Sequence, residues 1–224
     1  MAVMHNMLNK PKGVLFDLDG TLLDTARDLG NALNWVLHQH KMPSCAFSVY
    51  RNIASDGSQG LLEIGFGDRL ADFDVEALRA LFLERYEQEI CVDTVSFDGI
   101  RELLARLDKD NIPWGIVTNK PQWLTELLLP HFDEFAQCQV VISGDTLEKR
   151  KPHPLPLIHA ANAMNINPTE CWYIGDAKRD IDAAKAANMF SVVANYGYIG
   201  PEHRSDSWNA DLYIDQPQAI LAHL

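Results

Sequence analysis

The feature that most restricts the fold of this chain is a series of short apolar runs separated by segments of helical pattern. The runs are GVLFD (13–17), WGIVTN (114–119), QVVIS (139–143), CWYIGD (171–176) and SVVAN (191–195). Each run has the length and composition of a fully buried strand. Because strands that alternate with helices pair in parallel through right-handed crossovers, the pattern predicts a doubly wound parallel α/β sheet of the Rossmann-like kind.

One connection in this series is far too long to be a simple crossover. The first strand ends near Leu18 and the next begins near Ile112, whereas a crossover needs about a dozen residues. We therefore predict an inserted helical cap at residues 23–97 and a core made of residues 1–22 and 98–224.

Apolar residues at helical spacing indicate that the insertion is helical. An N-cap at Asp24 or Thr25 precedes the first stripe. The first stripe consists of Leu29, Leu33, Val36 and Leu37, and the second of Val75, Leu78, Phe82 and Tyr86. Between the stripes, ASDGSQG (54–60) is rich in turn-forming residues and predicts a flexible loop that faces the site.

Polar residues follow the predicted strands at the points where the strands end. In chain order these residues are Asp17, Asp19, Thr118, Asn119, Lys151, Gly175 and Asp176, with Asp180 one helical turn further on. The carboxyl ends of parallel strands meet at one edge of a sheet, where ligands bind. Carboxylates, a hydroxyl and an ammonium group gathered there suit phosphoryl transfer assisted by a hard cation.

The two carboxylates of VLFDLDGTLLDT (14–25) pose an electrostatic problem. Side chains at positions i and i+2 of a strand leave the same face, so Asp17 and Asp19 would lie close together. Like charges at that distance disfavour each other's ionisation. We therefore expect a positive group between them, with a divalent cation as the first candidate.

Composition excludes several classes of partner. The formal net charge of -12 argues against nucleic acid, which would need clustered Lys and Arg. No apolar run approaches the roughly 18 residues of a transmembrane helix, and residues 1–13 carry no leader pattern. The cysteines show no disulfide or zinc spacing. We expect a cytoplasmic protein without membrane association that acts on small molecules, as a monomer or a homodimer.

Taken together, the motifs resemble those of haloacid dehalogenase superfamily phosphatases. They occur in family order as DLDGTLLDT, VTNK, the lysine of RKPHP, and GDAKRD. Within the superfamily, the chain is similar to the phosphoglycolate phosphatase branch. The stretches FDGIRELL, WGIVTNKP and YGYIGPEHRSDSWNAD resemble a bacterial subgroup of N-acetylmuramic acid 6-phosphate phosphatases. The resemblance implies a phosphomonoester hydrolase, with 2-phosphoglycolate or N-acetylmuramic acid 6-phosphate as the small anionic substrate.

The resemblance assigns catalytic roles to four residues. Asp17 would attack phosphorus and form an aspartyl-phosphate. Asp19 would act as the general acid and then as the general base. Thr118 would hold phosphoryl oxygens, and Lys151 would neutralise charge on the phosphate and on Asp17.

The resemblance also implies a cation site and a set of supporting residues. Mg2+ would be bound by Asp17, the backbone carbonyl of Asp19 and Asp176. Asp180 would orient Lys151 or a metal-bound water. The other supporting and phosphate-binding residues would be Gly20, Thr21, Asn119 and Gly175.

Substrate specificity is expected to come from the cap. Arg51 and Ser58 are the candidates, and Arg51 could pair with a substrate carboxylate. A phosphonate hydrolase would want a cap lysine that forms a Schiff base, and residues 23–97 offer only Lys41. A sugar-phosphate mutase would share almost every core residue, and a noncatalytic phosphate sensor would share the acidic pocket, so both stay open as alternatives.

Overall fold

The computed structural model describes residues 10–200 and 205–224. The predictions drawn from residues 1–9 and from residues 201–204 lie outside the described residues. The strands, in chain order, are β1 (Gly13–Phe16), β2 (Leu23–Asp24), β3 (Val95–Ser96), β4 (Trp114–Val117), β5 (Val140–Ile142), β6 (Cys171–Gly175), β7 (Phe190–Ala194) and β8 (Leu212–Ile214).

Six of these strands form one parallel sheet in the order β5-β4-β1-β6-β7-β8. Strand β1 pairs with β4 on one side and with β6 on the other. The prediction of a doubly wound parallel sheet is confirmed. Strand β8 was not among the predicted strands, because its three residues are too few to form a recognisable apolar run. The chain adds strands first to one side of β1 and then to the other, which makes the carboxyl end of β1 the expected ligand crevice.

The α-helices, in chain order, are α1 (Ala26–Gln39), α2 (Phe47–Tyr50), α3 (Gly57–Phe66), α4 (Val75–Gln88), α5 (Ile100–Lys109), α6 (Gln122–Leu128), α7 (Leu155–Ala163) and α8 (Lys178–Ala186). Alternate residues of β1 face opposite helical layers. Val14 and Phe16 pack with α5 and the helices of the insertion, whereas Leu15 packs with α7 and α8. This burial on both faces explains why the run GVLFD is apolar throughout.

Two short strands, β2 and β3, connect the insertion to the rest of the chain. Strands β2 and β3 pair in antiparallel fashion, with Leu23 opposite Ser96 and Asp24 opposite Val95. We call residues 23–97 the cap and the rest of the chain the core, and we propose this connection as the boundary between them. The cap begins four positions after Asp19, so it starts beside the predicted chemistry.

The cap helices bury most of the predicted apolar stripes. Helix α1 begins after Thr25, as predicted, and its stripe residues Leu29, Leu33, Val36 and Leu37 are buried. In α4, Leu78, Phe82 and Tyr86 are buried. Val75 is 38% exposed, because it occupies the first position of α4 and lines the cavity described below. Every residue of the two stripes except Val75 is therefore buried.

The prediction that residues 54–60 face the site is confirmed, because the segment lines the cavity described below, but the prediction that they form a flexible loop is wrong. The segment is divided between a 3-10 helix, Arg51–Asp56, and helix α3, which begins at Gly57. Gly57 has a φ of 65°, so this glycine permits the change of direction between the two helical segments. Leu61 and Leu62 are completely buried and anchor α3. Burial of these leucines therefore overrides the turn propensity of the preceding residues.

Candidate active site

The carboxyl ends of β1, β4 and β6 lie side by side, because β1 pairs with both of the others. Asp17 directly follows β1, Thr118 follows β4 and Asp176 follows β6. Lys151, from the loop between β5 and α7, reaches the same place and contacts Asp17. The structure therefore brings together, at one edge of the sheet, residues that the sequence placed at the ends of separate strands.

Lys151 occupies the centre of this site. Its side chain is completely buried, and its Nζ lies 2.9 Å from Asp17 Oδ1 and 2.8 Å from Asp180 Oδ1. The same Nζ donates to the hydroxyl of Tyr173 at 2.7 Å. Two carboxylates therefore share one ammonium charge, and these partners hold the ammonium in a defined position.

Asn119 holds the backbone of Lys151. Its Nδ2 donates to the Lys151 carbonyl at 2.9 Å, and its Oδ1 accepts from the Lys151 N–H at 3.1 Å. Asn119 was predicted to bind phosphate or to support the residues that do. These contacts favour the supporting role for its side chain.

Asp17, Asp176 and Asp180 form an acidic cluster whose candidate ligand oxygens lie within 4.8 Å of one another. Burial raises the pKa of Asp17 to about 6, although Lys151 acts in the opposite direction. Burial, together with repulsion from Asp180 and Asp17, raises the pKa of Asp176 to about 7. Three buried carboxylates, of which only Asp17 and Asp180 pair with Lys151, suit a divalent cation, which would offset the excess negative charge.

Asp176 has the features of a cation ligand. Its Oδ1 is buried and has no hydrogen-bond partner among the described residues. Its Oδ2 accepts from the Tyr198 N–H at 2.9 Å and from Ser55 Oγ at 2.7 Å. Asp180 differs, because its Oδ2 accepts from the Ala177 N–H and its Oδ1 pairs with Lys151. The residues present therefore fit a cation held by Asp176 Oδ1, with Asp180 holding the lysine.

Two glycines make room for these carboxylates. A Cβ at Gly20 would overlap the carboxylate of Asp176, and a Cβ at Gly175 would overlap the side chain of Asp180. Gly20 also has a φ of 82°, which favours glycine. Thr21 is completely buried, so its side chain lies inside the protein beside this turn.

Asp19 lies apart from the acidic cluster, although only two positions separate it from Asp17. Strand β1 ends at Phe16, so the extended geometry does not reach Asp19. The Asp19 carboxylate accepts from Thr25 Oγ1 at 2.7 Å and pairs with Lys120 Nζ at 3.0 Å. Each carboxylate therefore has a lysine of its own, and the expectation of a divalent cation between Asp17 and Asp19 stays a prediction.

Lys120 and Tyr86 complete the surroundings of Asp19, and neither was predicted as a site residue. Lys120 Nζ donates to the Tyr86 hydroxyl at 2.9 Å and lies 4.5 Å from the centroid of its ring. Tyr86 belongs to α4, so this contact joins the cap to the core. The position of Lys120 at a strand end, directly after Asn119, was a signal for it, whereas no local pattern pairs it with Tyr86.

A cavity of about 880 Å³ opens onto the site between the cap and the core. Its core side includes Asp17, Asp19, Thr118 and Lys151. Its cap side includes Ser58, Gln59, Glu63, Glu76 and Arg79. A volume of this size lies in the usual range for small-molecule sites. Ser58, one of the two predicted specificity residues, therefore lines the cavity.

Arg51, the other predicted specificity residue, contacts the core. Its guanidinium donates to the carbonyls of Gly197 at 2.9 Å and Tyr196 at 3.4 Å, and it lies 5.1 Å from the centroid of the Tyr198 ring. Within the described part of the chain, Arg51 is not among the residues that line the cavity. Arg79 is a cap arginine that does line it.

A parallel sheet with an acidic cluster and a buried lysine at its carboxyl edge, below a cavity closed by a helical unit, defines an enzyme of the phosphoryl-transfer class. The sequence profile of haloacid dehalogenase-like hydrolases matches residues 14–194. The chain belongs to the haloacid dehalogenase-like hydrolase family.

Comparison with known proteins shows which hydrolases of this family the chain is similar to. The chain is 44% identical over 213 residues to a phosphoglycolate phosphatase of Xanthomonas campestris pv. campestris, covering 94% of this chain and 95% of the relative. It is 36% identical over 210 residues to an N-acetylmuramic acid 6-phosphate phosphatase of Pseudomonas aeruginosa, covering 94% of this chain and 93% of the relative. These relatives indicate that the chain is a phosphatase.

A solved structure shares the fold. A protein described as a predicted phosphoglycolate phosphatase from Haemophilus somnus superposes with a TM-score of 0.84 over 96% of this chain and 98% of its own, at 24% identity. Within the described residues, no helix is both long and apolar enough to cross a membrane. The cytoplasmic location, the lack of a nucleic-acid partner and the monomeric or homodimeric state stay predictions.

Proposed function

We propose that the chain is a Mg2+-dependent phosphomonoester hydrolase that forms an aspartyl-phosphate on Asp17 and acts on a small anionic phosphate ester. The observation that carries this proposal is the arrangement of two carboxylates on one cavity wall. Asp17 is paired with Lys151, and Asp19 is held separately by Lys120. Because their partners differ, one carboxylate can attack phosphorus while the other transfers protons.

In the first half of the reaction, Asp17 attacks phosphorus as the bond to the bridging oxygen of the substrate breaks. Lys151 offsets negative charge on the attacking carboxylate and on the phosphoryl oxygens. Thr118 Oγ1 accepts from the Lys120 N–H at 3.1 Å, which leaves its own proton for a phosphoryl oxygen. The pairing with Asp180 keeps the Lys151 ammonium in place throughout.

Asp19 moves the protons in both halves of the reaction. Its protonated form gives a proton to the leaving alkoxide, and the resulting carboxylate then takes a proton from the water that attacks the aspartyl-phosphate. That attack releases inorganic phosphate and regenerates Asp17. Between these steps, Thr25 and Lys120 hold the ionised carboxylate of Asp19.

Asp17, the backbone carbonyl of Asp19 and Asp176 are the residues that would hold Mg2+. When bound, the cation would neutralise charge on the phosphoryl oxygens. The unpartnered Oδ1 of Asp176, and the raised pKa values of Asp17 and Asp176, support a cation site at this position.

We expect Mg2+ to stabilise the protein more at pH 8 than at pH 5.5. Without a cation, the pKa values of Asp17 and Asp176 are about 6 and about 7, above the ordinary value of 3.8. From pH 3.8 up to these raised values, the folded state therefore binds more protons than the unfolded state. The stability from this protonation is complete below pH 3.8 and is lost as the pH rises through 6 and 7. Mg2+ takes the place of the protons. At a hundredfold excess over its Kd, it should contribute about 2.7 kcal/mol at pH 8, and less than about 1 kcal/mol when the same concentration is used at pH 5.5.

Chemical denaturation with and without Mg2+ at both pH values measures this difference. Asp176→Asn is the matched variant, because the amide keeps the shape of the side chain but is a poor ligand for a hard cation. It should remove most of the Mg2+ effect at pH 8. An effect of equal size at both pH values would place the cation away from these carboxylates.

The cavity favours the larger of two candidate substrates. The relatives are named for phosphoglycolate and for N-acetylmuramic acid 6-phosphate, and both compounds carry a carboxylate. A two-carbon acid would fill only a small part of about 880 Å³. Ser58, Gln59 and Glu63 offer hydroxyl, amide and carboxylate groups that can bind sugar hydroxyls. We therefore propose N-acetylmuramic acid 6-phosphate as the preferred substrate.

The test is kcat/KM measured side by side for N-acetylmuramic acid 6-phosphate, 2-phosphoglycolate and glucose 6-phosphate, which lacks the carboxylate. We expect the first compound to exceed the others by at least about tenfold. A higher value for 2-phosphoglycolate would overturn this preference and leave the phosphatase assignment intact. Isomerisation without release of inorganic phosphate would support the mutase alternative, and no turnover of any ester would support the sensor.

Arg79→Met is expected to separate substrate recognition from chemistry. The variant should lower kcat/KM for N-acetylmuramic acid 6-phosphate by about 10- to 100-fold, because we propose that Arg79, which lines the cavity, pairs with the substrate carboxylate. Turnover of p-nitrophenyl phosphate, which lacks a carboxylate, should change less than about threefold. Ser58→Ala should act in the same direction with a smaller effect.

Arg27→Met is the matched control for Arg79→Met. Arg27 is an exposed arginine of the cap whose guanidinium lies over the ring of Phe47. Arg27→Met should leave kcat/KM for N-acetylmuramic acid 6-phosphate and turnover of p-nitrophenyl phosphate unchanged. Equal losses on both substrates in Arg79→Met would contradict a role in recognising the substrate carboxylate.

A further inference from the structure

The 3-10 helix Arg51–Asp56 of the cap docks onto the core at three points. Arg51 donates to the backbone carbonyls of residues 196 and 197. Ser55 Oγ donates to Asp176 Oδ2 at 2.7 Å. Asp56 Oδ1 pairs with Arg179 at 3.0 Å. These contacts join residues between 121 and 146 positions apart in the chain, so they depend on the position of the cap on the core.

The Ser55 contact reaches into the proposed cation site. Asp176 Oδ2 has two donors, the Ser55 hydroxyl from the cap and the Tyr198 N–H from the core. Asp176 Oδ1 is buried and has no partner among the described residues. Rotation of this carboxylate would break both bonds to Oδ2, so Ser55 and Tyr198 together fix the orientation in which Oδ1 is left for a ligand.

Arg179 holds this segment of the cap in place. One guanidinium nitrogen pairs with the Asp56 carboxylate, and the other donates to the Ser55 carbonyl. Arg179 lies at the start of α8, three positions after Asp176, so the residue that grips the cap and the candidate ligand belong to one short stretch of the core. The pairing also explains an acidic residue, Asp56, beside a cavity for an anionic substrate, because Arg179 offsets its charge.

We propose that Ser55 is a positioning residue of the cation site, held by Arg179, so that docking of the cap orients Asp176 for the cation. This inference rests on the proposed function, because it takes the acidic cluster as the Mg2+ site. Binding free energies are reciprocal, so a cap contact that strengthens Mg2+ binding is itself strengthened by Mg2+ to the same degree. The cap therefore acts on the metal-binding carboxylate as well as covering the substrate.

The experiment is a calorimetric titration of the full chain with MgCl2 at pH 8, with no substrate present. Ser55→Ala should raise the Mg2+ Kd by about tenfold, because the loss of a hydrogen bond to a ligating carboxylate typically weakens metal binding by 10- to 100-fold. Ser55→Thr keeps the hydroxyl and should restore the Kd to within about twofold to threefold of the wild type. Arg179→Lys keeps the positive charge beside the acidic cluster but lacks the second guanidinium nitrogen, so it should weaken binding by a smaller factor, roughly threefold, because the hydroxyl remains but its segment is held less firmly.

Ser48→Ala is the matched control, since Ser48 is an exposed serine of the same cap region. It should leave the Kd unchanged, and thermal melting without Mg2+ identifies any variant that is misfolded. A Ser55→Ala Kd within twofold of the wild type would overturn the inference while leaving the phosphatase assignment standing. Failure of Ser55→Thr to restore binding would overturn it as well. A wild-type protein that binds no Mg2+ and hydrolyses no phosphate ester would overturn the proposed function itself.

Discussion

Asp17→Asn is expected to lower the turnover of every phosphate ester by about four orders of magnitude or more, since it removes the proposed nucleophile. The amide occupies the same space as the carboxylate but cannot form the aspartyl-phosphate. Lys151 keeps Asp180 as its partner at 2.8 Å, so the lysine remains in place. The measurement is the release of inorganic phosphate under saturating substrate and Mg2+.

The stability of this variant provides the control. Burial raises the pKa of Asp17 to about 6, so its ionised form opposes folding at pH 8 in the absence of a cation. The free energy of unfolding of Asp17→Asn without Mg2+ should therefore equal or exceed that of the wild type. Lost activity in a protein of undiminished stability would show that Asp17 serves the chemistry at some expense to the fold. If the variant kept more than a tenth of wild-type turnover, Asp17 would not be the nucleophile.

Asp19→Asn is expected to lower the turnover of alkyl phosphates by about 10²- to 10⁴-fold, which is the usual contribution of a general acid or base. Its Mg2+ affinity should stay near that of the wild type, because only the backbone carbonyl of Asp19 is a proposed ligand. The substituted side chain still accepts from Thr25, whereas the ion pair with Lys120 is lost.

The leaving group separates the two roles of Asp19. Nitrophenolate leaves without a proton, so Asp19→Asn should still phosphorylate Asp17 with p-nitrophenyl phosphate. Hydrolysis of the aspartyl-phosphate should then be slow, because water lacks its base. Stopped-flow absorbance should show a burst of about one nitrophenolate per enzyme, followed by slow turnover.

Asp108→Asn is the matched control for this experiment. Asp108 accepts from Trp114 Nε1 at 2.8 Å, away from the site, so its substitution should leave the kinetics of both substrates unchanged. An Asp19→Asn variant with wild-type rates on alkyl phosphates would refute the acid and base role. A variant with lost Mg2+ binding would show that the side chain itself is needed for the cation.

Much of the fold was predictable because it depends on short-range periodicity. The apolar run of β1 is buried on both faces, and the spacing of Leu29, Leu33 and Val36 places them on one buried face of α1. The long gap between the first two predicted strands required an inserted unit, and this inference did not depend on the contacts that the unit makes. The segment 54–60 is the exception, because burial of leucines in α3 outweighed the local turn signal.

The site was predictable only as a set of residues at strand ends. The parallel direction of the strands was enough to expect Asp17, Thr118 and Asp176 at one edge. The family resemblance implied the contact between Lys151 and Asp17, whereas most other side-chain partners were not predictable. Asn119 holds the backbone of Lys151, and Arg51 contacts the core away from the cavity. Nothing in the local sequence distinguishes these contacts from contacts to a phosphate or to a substrate carboxylate.

The sequence, taken alone, was sufficient for the parallel sheet, the inserted helices and the chemical types gathered at the sheet edge, because apolar periodicity and the alternation of strands with helices encode them. The tertiary structure alone decided the polar contacts that neither the strand pattern nor the resemblance implied. It paired Lys120 with Asp19 and a cap serine with Asp176. The physical reason is distance along the chain, since Lys120 lies 101 positions from Asp19 and Asp176 lies 121 from Ser55. Pairing of β1 with β4 brings the first two residues together within the core, and packing of the cap on the core brings the second two together.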